Sequence, residues 1–251
     1  MKIALCLSGQ PRSLVGGCSM LKQSLIEPSN ITDVFVHLWY DSSMDGKPFN
    51  SSQPHLDSNI GTWLPDSDKY VREQLNPISM LVEPQRDMNE FSHLKDVPGR
   101  ANQKALASMF CSVTKANNLR KEYEEVNNIK YDIIVRSRID HTYYKPVDVR
   151  AFFNETDKDC VYVPHNHQYM RDHHNLVANS GLSYASMSET FIFANPENMD
   201  KVCEVFPNFE KIYEDVYPEN FAEQYIGYQV RGVYKLKVTS VDAPYDIYRG
   251  I

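Results

Sequence analysis

The sequence lacks the features of several protein classes. It has no apolar run near the roughly 18 residues of a membrane-spanning helix. Its 10 Gly and 14 Pro are too few for a collagen-like or linker-dominated chain. Positive charge is also scarce, since 26 Lys and Arg face 33 Asp and Glu, for a net charge of −7. This balance argues against a general nucleic-acid or anionic-membrane partner, although it leaves room for a local basic pocket. With 251 residues, of which 42% are hydrophobic, we predict one folded, soluble domain without a membrane span.

Cysteine is the next scarce residue type. The five cysteines are odd in number and widely scattered. This pattern argues against a disulfide framework or a cysteine zinc site, and it indicates reduced thiols. The apolar start at 1–7 is too short for a signal peptide and leads directly into Ser8-Gly9-Gln10-Pro11-Arg12. We therefore expect a cytoplasmic location.

The order of apolar and polar segments predicts the fold class. Buried strands are indicated at 2–7 and 32–39, a short third strand at 79–83 and a fourth strand at 131–136. Helices are indicated at about 13–26, ending near Pro28, and at 101–126, where apolar residues from Leu106 to Val126 recur every three or four positions. This alternation predicts a single α/β, Rossmann-like domain with a mostly parallel central sheet.

Polar segments follow directly after three of these strands, at 8–12, 37–41 and 136–141. Ligands of such sheets bind beyond the carboxyl ends of the strands. In the last segment Arg136, Arg138 and Asp140 alternate, so on an extended backbone their side chains project to one side. Burying two cations beside one anion is costly unless an anion binds there, and a nucleotide diphosphate is such an anion. An aspartate among phosphates commonly holds a divalent cation. The alternative is an ion-pair ladder at the end of a strand.

Four segments carry a resemblance to a known family: IALCLSGQPRS, VFVHLW, KYDIIVRSRID and SETFIFANPENM. Together they resemble the glycosyltransferase-like proteins of large DNA viruses and bacteria, and especially the chlorovirus enzymes that build capsid glycans. The resemblance implies a single GT-A domain over 1–251, with a nucleotide-binding half at 1–140 and an acceptor-binding half at 141–251. It also implies a nucleotide-sugar donor linked to UDP, with UDP-xylose as a candidate, and an oligosaccharide or glycoprotein glycan as acceptor.

The same resemblance implies roles for individual residues. The donor-binding residues would be Ser8, Gly9, Gln10, Arg12, His37, Arg100, Gln103, Arg136 and Arg138. Arg12 offers a bidentate phosphate partner, and its alternative is a solvated loop arginine. Near the same pocket, His37 and Trp39 end the second strand, and their alternative is core packing. Arg100 and Gln103 lie where the long helix begins, so backbone N–H groups there would meet a phosphate or a sugar, unless they only cap the helix.

Asp140 matches the metal-binding aspartate of GT-A enzymes. The usual motif has two aspartates flanking one residue, whereas this chain reads Asp140-His141-Thr142 and offers one carboxylate. The resemblance implies Mn²⁺ or Mg²⁺ at Asp140, with an added histidine tolerated more readily by Mn²⁺. That histidine would come from His165, His167, His173 or His174. The same cluster with Asp172 has three alternatives: structural or surface residues without a ligand, residues that contact the sugar substrate, or a zinc site.

Transfer of a sugar by inversion needs a carboxylate that takes the proton of the acceptor hydroxyl. Glu189, within SETFIFA, matches a family position that often reads Asp-x-Phe, and it is the first candidate. Glu223 is the rival, with Glu219 and Asp215 behind it. Two other functions stay open. A sugar-phosphate nucleotidyltransferase would carry a more glycine-rich loop than Ser8 to Arg12 offers, and a non-catalytic glycan-binding module would explain the single aspartate.

Overall fold

The computed structural model describes residues 1–49, 61–97, 102–153, 158–164, 187–217, 221–243 and 245–247. The nine strands among these residues are β1 (Ile3–Gly9), β2 (Asp33–Trp39), β3 (Ser79–Glu83), β4 (Ile133–Ser137), β5 (His141–Tyr143), β6 (Cys160–Pro164), β7 (Ile192–Ala194), β8 (Lys237–Val241) and β9 (Tyr245–Ile247). The helices are α1 (Leu14–Leu21), α2 (Ser67–Leu75), α3 (Gln103–Asn127), α4 (Val149–Phe152), α5 (Pro196–Cys203), α6 (Phe209–Val216) and α7 (Ala222–Gly227), with α1 and α7 prolonged by π-helical turns (Lys22–Ile26 and Tyr228–Val233).

Seven strands form the central sheet in the order β3-β2-β1-β4-β7-β6-β8. Neighbours run parallel from β3 to β4, and β6 runs parallel to β8. Only β7 is antiparallel to its neighbours within this sheet, β4 and β6. The predicted α/β class with a mostly parallel sheet is confirmed. A second, two-stranded sheet pairs β5 with β9.

The central sheet is covered on both faces, which explains the continuous apolar runs of its strands. Ile3, Leu5 and Leu7 of β1 pack with buried residues of α1 on one face. Ala4 and Cys6 pack against α3 on the other face. Because side chains alternate along a strand, every position of β1 from Ile3 to Leu7 is buried.

Both predicted helices form, with shifted ends. The first continues past the predicted stop, since Pro28 lies within a last helical turn, Glu27–Ser29, which ends at Asn30 in the left-handed conformation. Pro28 has no N–H to donate to the preceding turn, and the Ser24 carbonyl of that turn accepts instead from the Val147 N–H at 2.7 Å. The long helix α3 begins after Asn102, whose side chain accepts a hydrogen bond from the Ala105 N–H at 2.7 Å. At its far end Val126 is 83% exposed, so the apolar stripe leaves the core before the helix ends.

Two further facts bear on the overall organisation. All five cysteines are buried free thiols. In the part of the chain that the structure describes, no helix is both long enough and apolar enough to cross a lipid bilayer.

Candidate functional site

A cleft opens at the carboxyl ends of β1, β2 and β4. It encloses about 870 Å³ of empty space, including space open to solvent. Its lining residues are Ser8, Gly9, Gln10, Arg12, Trp39, Gln85, Ala105, Leu106, Ser108, Met109, Arg136, Arg138 and Asp140. The polar segments predicted after the first and fourth strands therefore meet in one place.

The end of β1 forms one wall of the cleft. Gly9 has a φ of 119°, a conformation that side-chain-bearing residues rarely adopt, and it turns the chain out of the strand. The next residue, Gln10, donates a hydrogen bond from Nε2 to Oε1 of Gln85 at 2.6 Å. Gln85 in turn donates to the Ser108 hydroxyl at 3.1 Å. These contacts join β1, the segment after β3 and helix α3 into a polar rim.

Gln85 and Ser108 were not predicted as site residues. Gln85 follows Glu83-Pro84 at the end of the third strand, so the strand-end argument applied to the other segments would have found it. Ser108 is in the middle of α3, and only the packing of that helix on the sheet brings it to the cleft. No sequence signal pointed to it.

Trp39 and His37 lie on the same face of β2 but end in different surroundings. Trp39 lines the cleft, and its indole N–H donates to the Ser108 carbonyl at 3.0 Å. His37 is fully buried behind it, with Nδ1 2.7 Å from the Ser112 hydroxyl and Nε2 3.2 Å from Oε1 of Glu83. Burial lowers the pKa of His37 to about 4 and outweighs the opposing hydrogen bond to Glu83, so the imidazole is neutral at pH 7. His37 does not line the cleft.

A charged pair supports the Trp39 ring. Lys115 of α3 bonds to the Glu83 carboxylate, and its ammonium lies 4.9 Å from the centroid of the Trp39 ring. Burial alone would raise the pKa of Glu83, but the hydrogen bonds from Lys115 and His37 lower it below its ordinary value. Glu83 is therefore an anion that ties His37 and Lys115 together behind the wall of the cleft.

The opposite wall contains the predicted Arg-x-Asp pair. Arg138 donates from Nε to Oδ1 of Asp140 at 2.7 Å and from Nη2 to Oδ2 at 2.6 Å. The Asp140 side chain is only 3% exposed and that of Arg138 is 25% exposed. Burial would raise the pKa of Asp140, but the charge and hydrogen bonds of Arg138, with smaller contributions from His141 and Arg12, hold it below its usual value. Asp140 is thus ionised within a bidentate ion pair.

Two other residues of this segment are buried. Arg136, the last residue but one of β4, lines the cleft and is 1% exposed. It lies opposite Cys6 of β1 and Ile192 of β7. His141 lies in the small sheet, with Nδ1 3.1 Å from the Ser137 hydroxyl. Burial, followed by the charge of Arg138, lowers the pKa of His141 to about 3, so this imidazole is neutral as well.

Helix α1 packs against the backbone of the segment that carries Asp140. Gly17 is buried, and a Cβ at this position would lie 3.2 Å from the Asp140 Cα and even closer to the Ile139 carbonyl oxygen. The missing side chain therefore lets α1 pack directly on the backbone of the loop that carries Asp140.

The predicted catalytic carboxylates lie near the same sheet edge but do not line the cleft. Because β7 runs antiparallel to β4, Glu189, three residues before β7, lies at the carboxyl end of β4. Both Glu189 and Glu223 are half-buried, and the Glu223 carbonyl accepts a hydrogen bond from the Met187 N–H at 3.2 Å. The backbone thus brings their two segments together. Asp215 accepts a hydrogen bond from the Tyr228 hydroxyl at 2.5 Å.

The remaining predicted residues divide into two groups. Gln103 is buried away from the cleft lining, with its Oε1 accepting from the Tyr225 hydroxyl at 2.8 Å and its backbone N–H bonded to Asp96. Its contacts match the capping alternative. The others lie outside the described residues: Arg100, His165, His167, Asp172, His173, His174 and Glu219.

The described residues do not fit the divalent cation expected at Asp140. Both carboxylate oxygens already accept hydrogen bonds from Arg138. Across the described ranges, no three His, Cys, Asp or Glu side chains come together as a metal-binding group. Mn²⁺ and Mg²⁺ both need several oxygen ligands, and Mg²⁺ in particular requires octahedral geometry.

Comparisons with known proteins bear on the fold. No family model matches the chain, and no curated protein matches it in sequence. Among solved structures, mouse xyloside xylosyltransferase 1 in its apo form is 8% identical, with a TM-score of 0.50 over 96% of this chain and 84% of that one. A glycosyltransferase involved in glycosylation of the major capsid of PBCV-1 is 10% identical, with a TM-score of 0.40 over 96% and 82%. Galactosyltransferase LgtC with donor and acceptor sugar analogues is 10% identical, with a TM-score of 0.48 over 92% and 70%. The first match shows a shared fold, in line with the predicted GT-A class, and the two lower scores add nothing to it.

Proposed function

We propose that the protein is a glycosyltransferase that moves a sugar from a nucleoside-diphosphate donor to a hydroxyl group of a glycan. The observation that carries this proposal is the position of Arg12, Arg136 and Arg138 around one cleft at the carboxyl edge of a GT-A-type sheet. In such sheets this edge is where ligands bind.

The charge of the cleft suits a diphosphate. Among the described residues of its lining, three arginines and one aspartate carry charge, which gives this lining a formal net charge of +2. Arg136 is buried and Arg138 is three-quarters buried, so their charges act in surroundings less polar than water. A guanidinium binds phosphate oxygens in a bidentate manner, and such charge-assisted bonds are among the strongest hydrogen bonds in proteins.

The polar rim suits the nucleoside end of the donor. Gln10, Gln85 and Ser108 offer amide and hydroxyl groups that can both donate and accept. Trp39 adds an aromatic ring beside them. A planar base that carries alternating donors and acceptors, as uracil does, would be recognised by this combination. A UDP-linked donor is therefore part of the proposal.

Glu189 is the proposed base for the acceptor. The acceptor oxygen attacks the anomeric carbon, the bond from that carbon to the diphosphate oxygen breaks, and its electron pair leaves with the nucleoside diphosphate. Glu189 takes the proton of the attacking hydroxyl, and Glu223 is the second candidate for this role. Attack on the side opposite the leaving group inverts the anomeric carbon. Support comes from the placement of Glu189 at the carboxyl end of β4, the end that carries Arg138.

A ligand screen followed by product analysis tests the proposal. The full chain is heated with each of a set of nucleotide sugars. A ligand adds RT ln(1 + [L]/Kd) to the free energy of unfolding, so a bound ligand raises the melting temperature. Stabilisation by a UDP-sugar, followed by release of UDP with a glycan acceptor, is expected. Pyrophosphate release from a nucleoside triphosphate and a sugar phosphate would instead identify a nucleotidyltransferase. Binding of glycan without binding of any nucleotide would identify a non-catalytic module and overturn the proposal.

A further inference from the structure

We propose that Arg138, and not a divalent metal ion, neutralises the departing diphosphate, and that Asp140 is a positioning residue that holds Arg138 in place. This inference rests on the proposed function, because it concerns the leaving group of the same reaction. It replaces the metal site that the Asp140-His141-Thr142 motif led us to expect.

The geometry of the pair is the first support. Each oxygen of the Asp140 carboxylate accepts one N–H from Arg138, at 2.7 and 2.6 Å, so the two groups face each other in a planar fork. A metal ion at Asp140 would have to displace at least one of these bonds. Because the Asp140 side chain is 3% exposed, water could not replace the lost bond easily. The Asp140 carboxylate is therefore better suited to accept hydrogen bonds from Arg138 than to bind a metal ion.

The position of Arg138 is the second support. The bonds to Asp140 come from Nε and Nη2 of the guanidinium. Arg138 is also the more exposed partner, at 25%, and it lines the cleft. The buried carboxylate thus fixes the orientation of a cation that the ligand can reach. An arginine held by a buried aspartate loses less side-chain entropy when it binds a phosphate.

Charge balance is the third support. A diphosphate diester carries one negative charge on each phosphate, and the cleft already has a net charge of +2. A divalent ion next to Asp140 would lie against the Arg138 guanidinium and be repelled by it, with Arg136 and Arg12 nearby. The donor set is also too small, since no metal-binding group of three side chains occurs within the described parts of the chain.

The chemical step needs no other reactant. As the bond between the anomeric carbon and the diphosphate oxygen breaks, negative charge grows on that oxygen. Arg138 donates hydrogen bonds to the growing charge, and it keeps its own proton because a guanidinium is not deprotonated in proteins. The proton released by the acceptor goes to Glu189, so the charges and atoms balance.

Calorimetry on the wild-type chain is the decisive experiment, since it needs no variant. UDP is titrated into chelator-treated protein in EDTA, and again in excess Mg²⁺ or Mn²⁺. We expect the two dissociation constants to agree within about threefold, and single-turnover transfer to proceed in EDTA. A dissociation constant more than about tenfold weaker in EDTA would overturn the inference while leaving the proposed function intact. Absence of binding in every condition, for UDP and for the other nucleoside diphosphates alike, would overturn the proposed function itself.

Two variants separate the roles of the pair. Arg138→Gln should weaken UDP binding by about tenfold or more, in EDTA and in Mn²⁺ alike, because it removes a charged hydrogen-bond donor. Asp140→Asn should bind UDP within a few-fold of wild type, because the diphosphate contacts remain, but its turnover should fall by about tenfold as Arg138 loses its fixed orientation. Loss of UDP binding in Asp140→Asn together with its recovery at high Mn²⁺ would contradict the inference.

The chain contains a matched control. Arg150 and Asp148 form a bidentate pair with the same spacing of two residues, at 2.9 and 3.0 Å, and neither lines the cleft. Arg150→Gln and Asp148→Asn should leave UDP affinity unchanged within about twofold. Melting curves of all four variants identify any that fail to fold. If the control variants weakened UDP binding as much as Arg138→Gln does, the ion pairs would act through general stability, and the inference would be wrong.

Discussion

Replacing Gly17 with alanine perturbs the candidate site from helix α1, at a residue that does not itself line the cleft. The added methyl carbon would lie 3.1 Å from the Ile139 carbonyl carbon, 3.2 Å from the Asp140 Cα and closer still to the Ile139 carbonyl oxygen. These atoms are backbone, so they cannot turn away as a flexible side chain would. Either helix α1 or the loop at 138–140 must therefore shift.

The size of the effect follows from ordinary contact distances. Carbon atoms in contact lie about 3.5–4.0 Å apart, so the backbone must move by roughly 1 Å. Overpacking of this kind costs about 1–3 kcal/mol of folding free energy, and the better helix propensity of alanine returns about 1 kcal/mol. For a chain of this length we expect a melting temperature lower by up to about 8 °C. A shift of 1 Å in Asp140 and its partner Arg138 can cost about a hundredfold in turnover.

Melting curves and UDP-sugar turnover of Gly17→Ala, compared with Gly16→Ala, measure both effects. Gly16 lies in the same helix but is half-exposed, so its alanine variant should be as stable as wild type or slightly more stable. Turnover should fall at least tenfold in Gly17→Ala while the fold persists. Wild-type stability together with wild-type turnover in Gly17→Ala would refute the close packing of α1 on the Asp140 loop.

Three further predictions concern other residues. Glu189→Gln should lower sugar transfer by about 10²–10⁴-fold and leave the UDP dissociation constant unchanged, because only the proton acceptor is lost; a larger loss in Glu223→Gln would move the base to Glu223. Arg136→Lys should weaken UDP binding by about tenfold, since lysine lacks the planar fork, and equal affinity by calorimetry would count against a diphosphate contact at this position. Acid should destabilise the protein through His37. Its pKa is about 4 when folded and 6.5 as the ordinary value, so the unfolded chain binds more protons between these values. The free energy of unfolding has its full value above pH 6.5. It falls by up to about 1.4 kcal/mol per pH unit as the pH drops toward 4. Urea unfolding of wild type and His37→Asn at pH 7, 6 and 5 measures this slope, which should be smaller in the variant; equal slopes would contradict a buried neutral imidazole.

Element order and the placement of the cleft could be predicted from the sequence for a local reason. Continuous apolar runs such as Ile3 to Leu7 occur where a strand is covered on both faces, and their abrupt change to polar residues marks the strand end. Parallel strands bring their carboxyl ends to one edge, so the segments after β1 and β4 had to be neighbours once β1 paired with both β2 and β4. Gln10, Arg12, Arg136 and Arg138 follow from that pairing.

The direction and partners of individual side chains did not follow from the sequence. A strand has two faces, and nothing in the segment VFVHLW states which one receives α3; His37 proved to face Ser112 of that helix and to lie behind Trp39. Ser108 reaches the cleft only because a helix far along the chain packs there.

By itself the sequence determined the α/β class, the order of the strands along the chain and the polar segments that meet at the sheet edge, because periodicity and strand length are local properties. Tertiary structure alone decided how Arg138 and Asp140 are paired. Their spacing in the sequence was compatible with an ion-pair ladder, a metal site or a phosphate site. Which of these arrangements the two side chains can form depends on how deeply each is buried. The backbone leaves β4 at Ser137, and the packing of Gly17 beneath the next residues encloses Asp140 so that its two oxygens face Arg138. Such enclosure comes from contacts between distant parts of the chain, which no local pattern records.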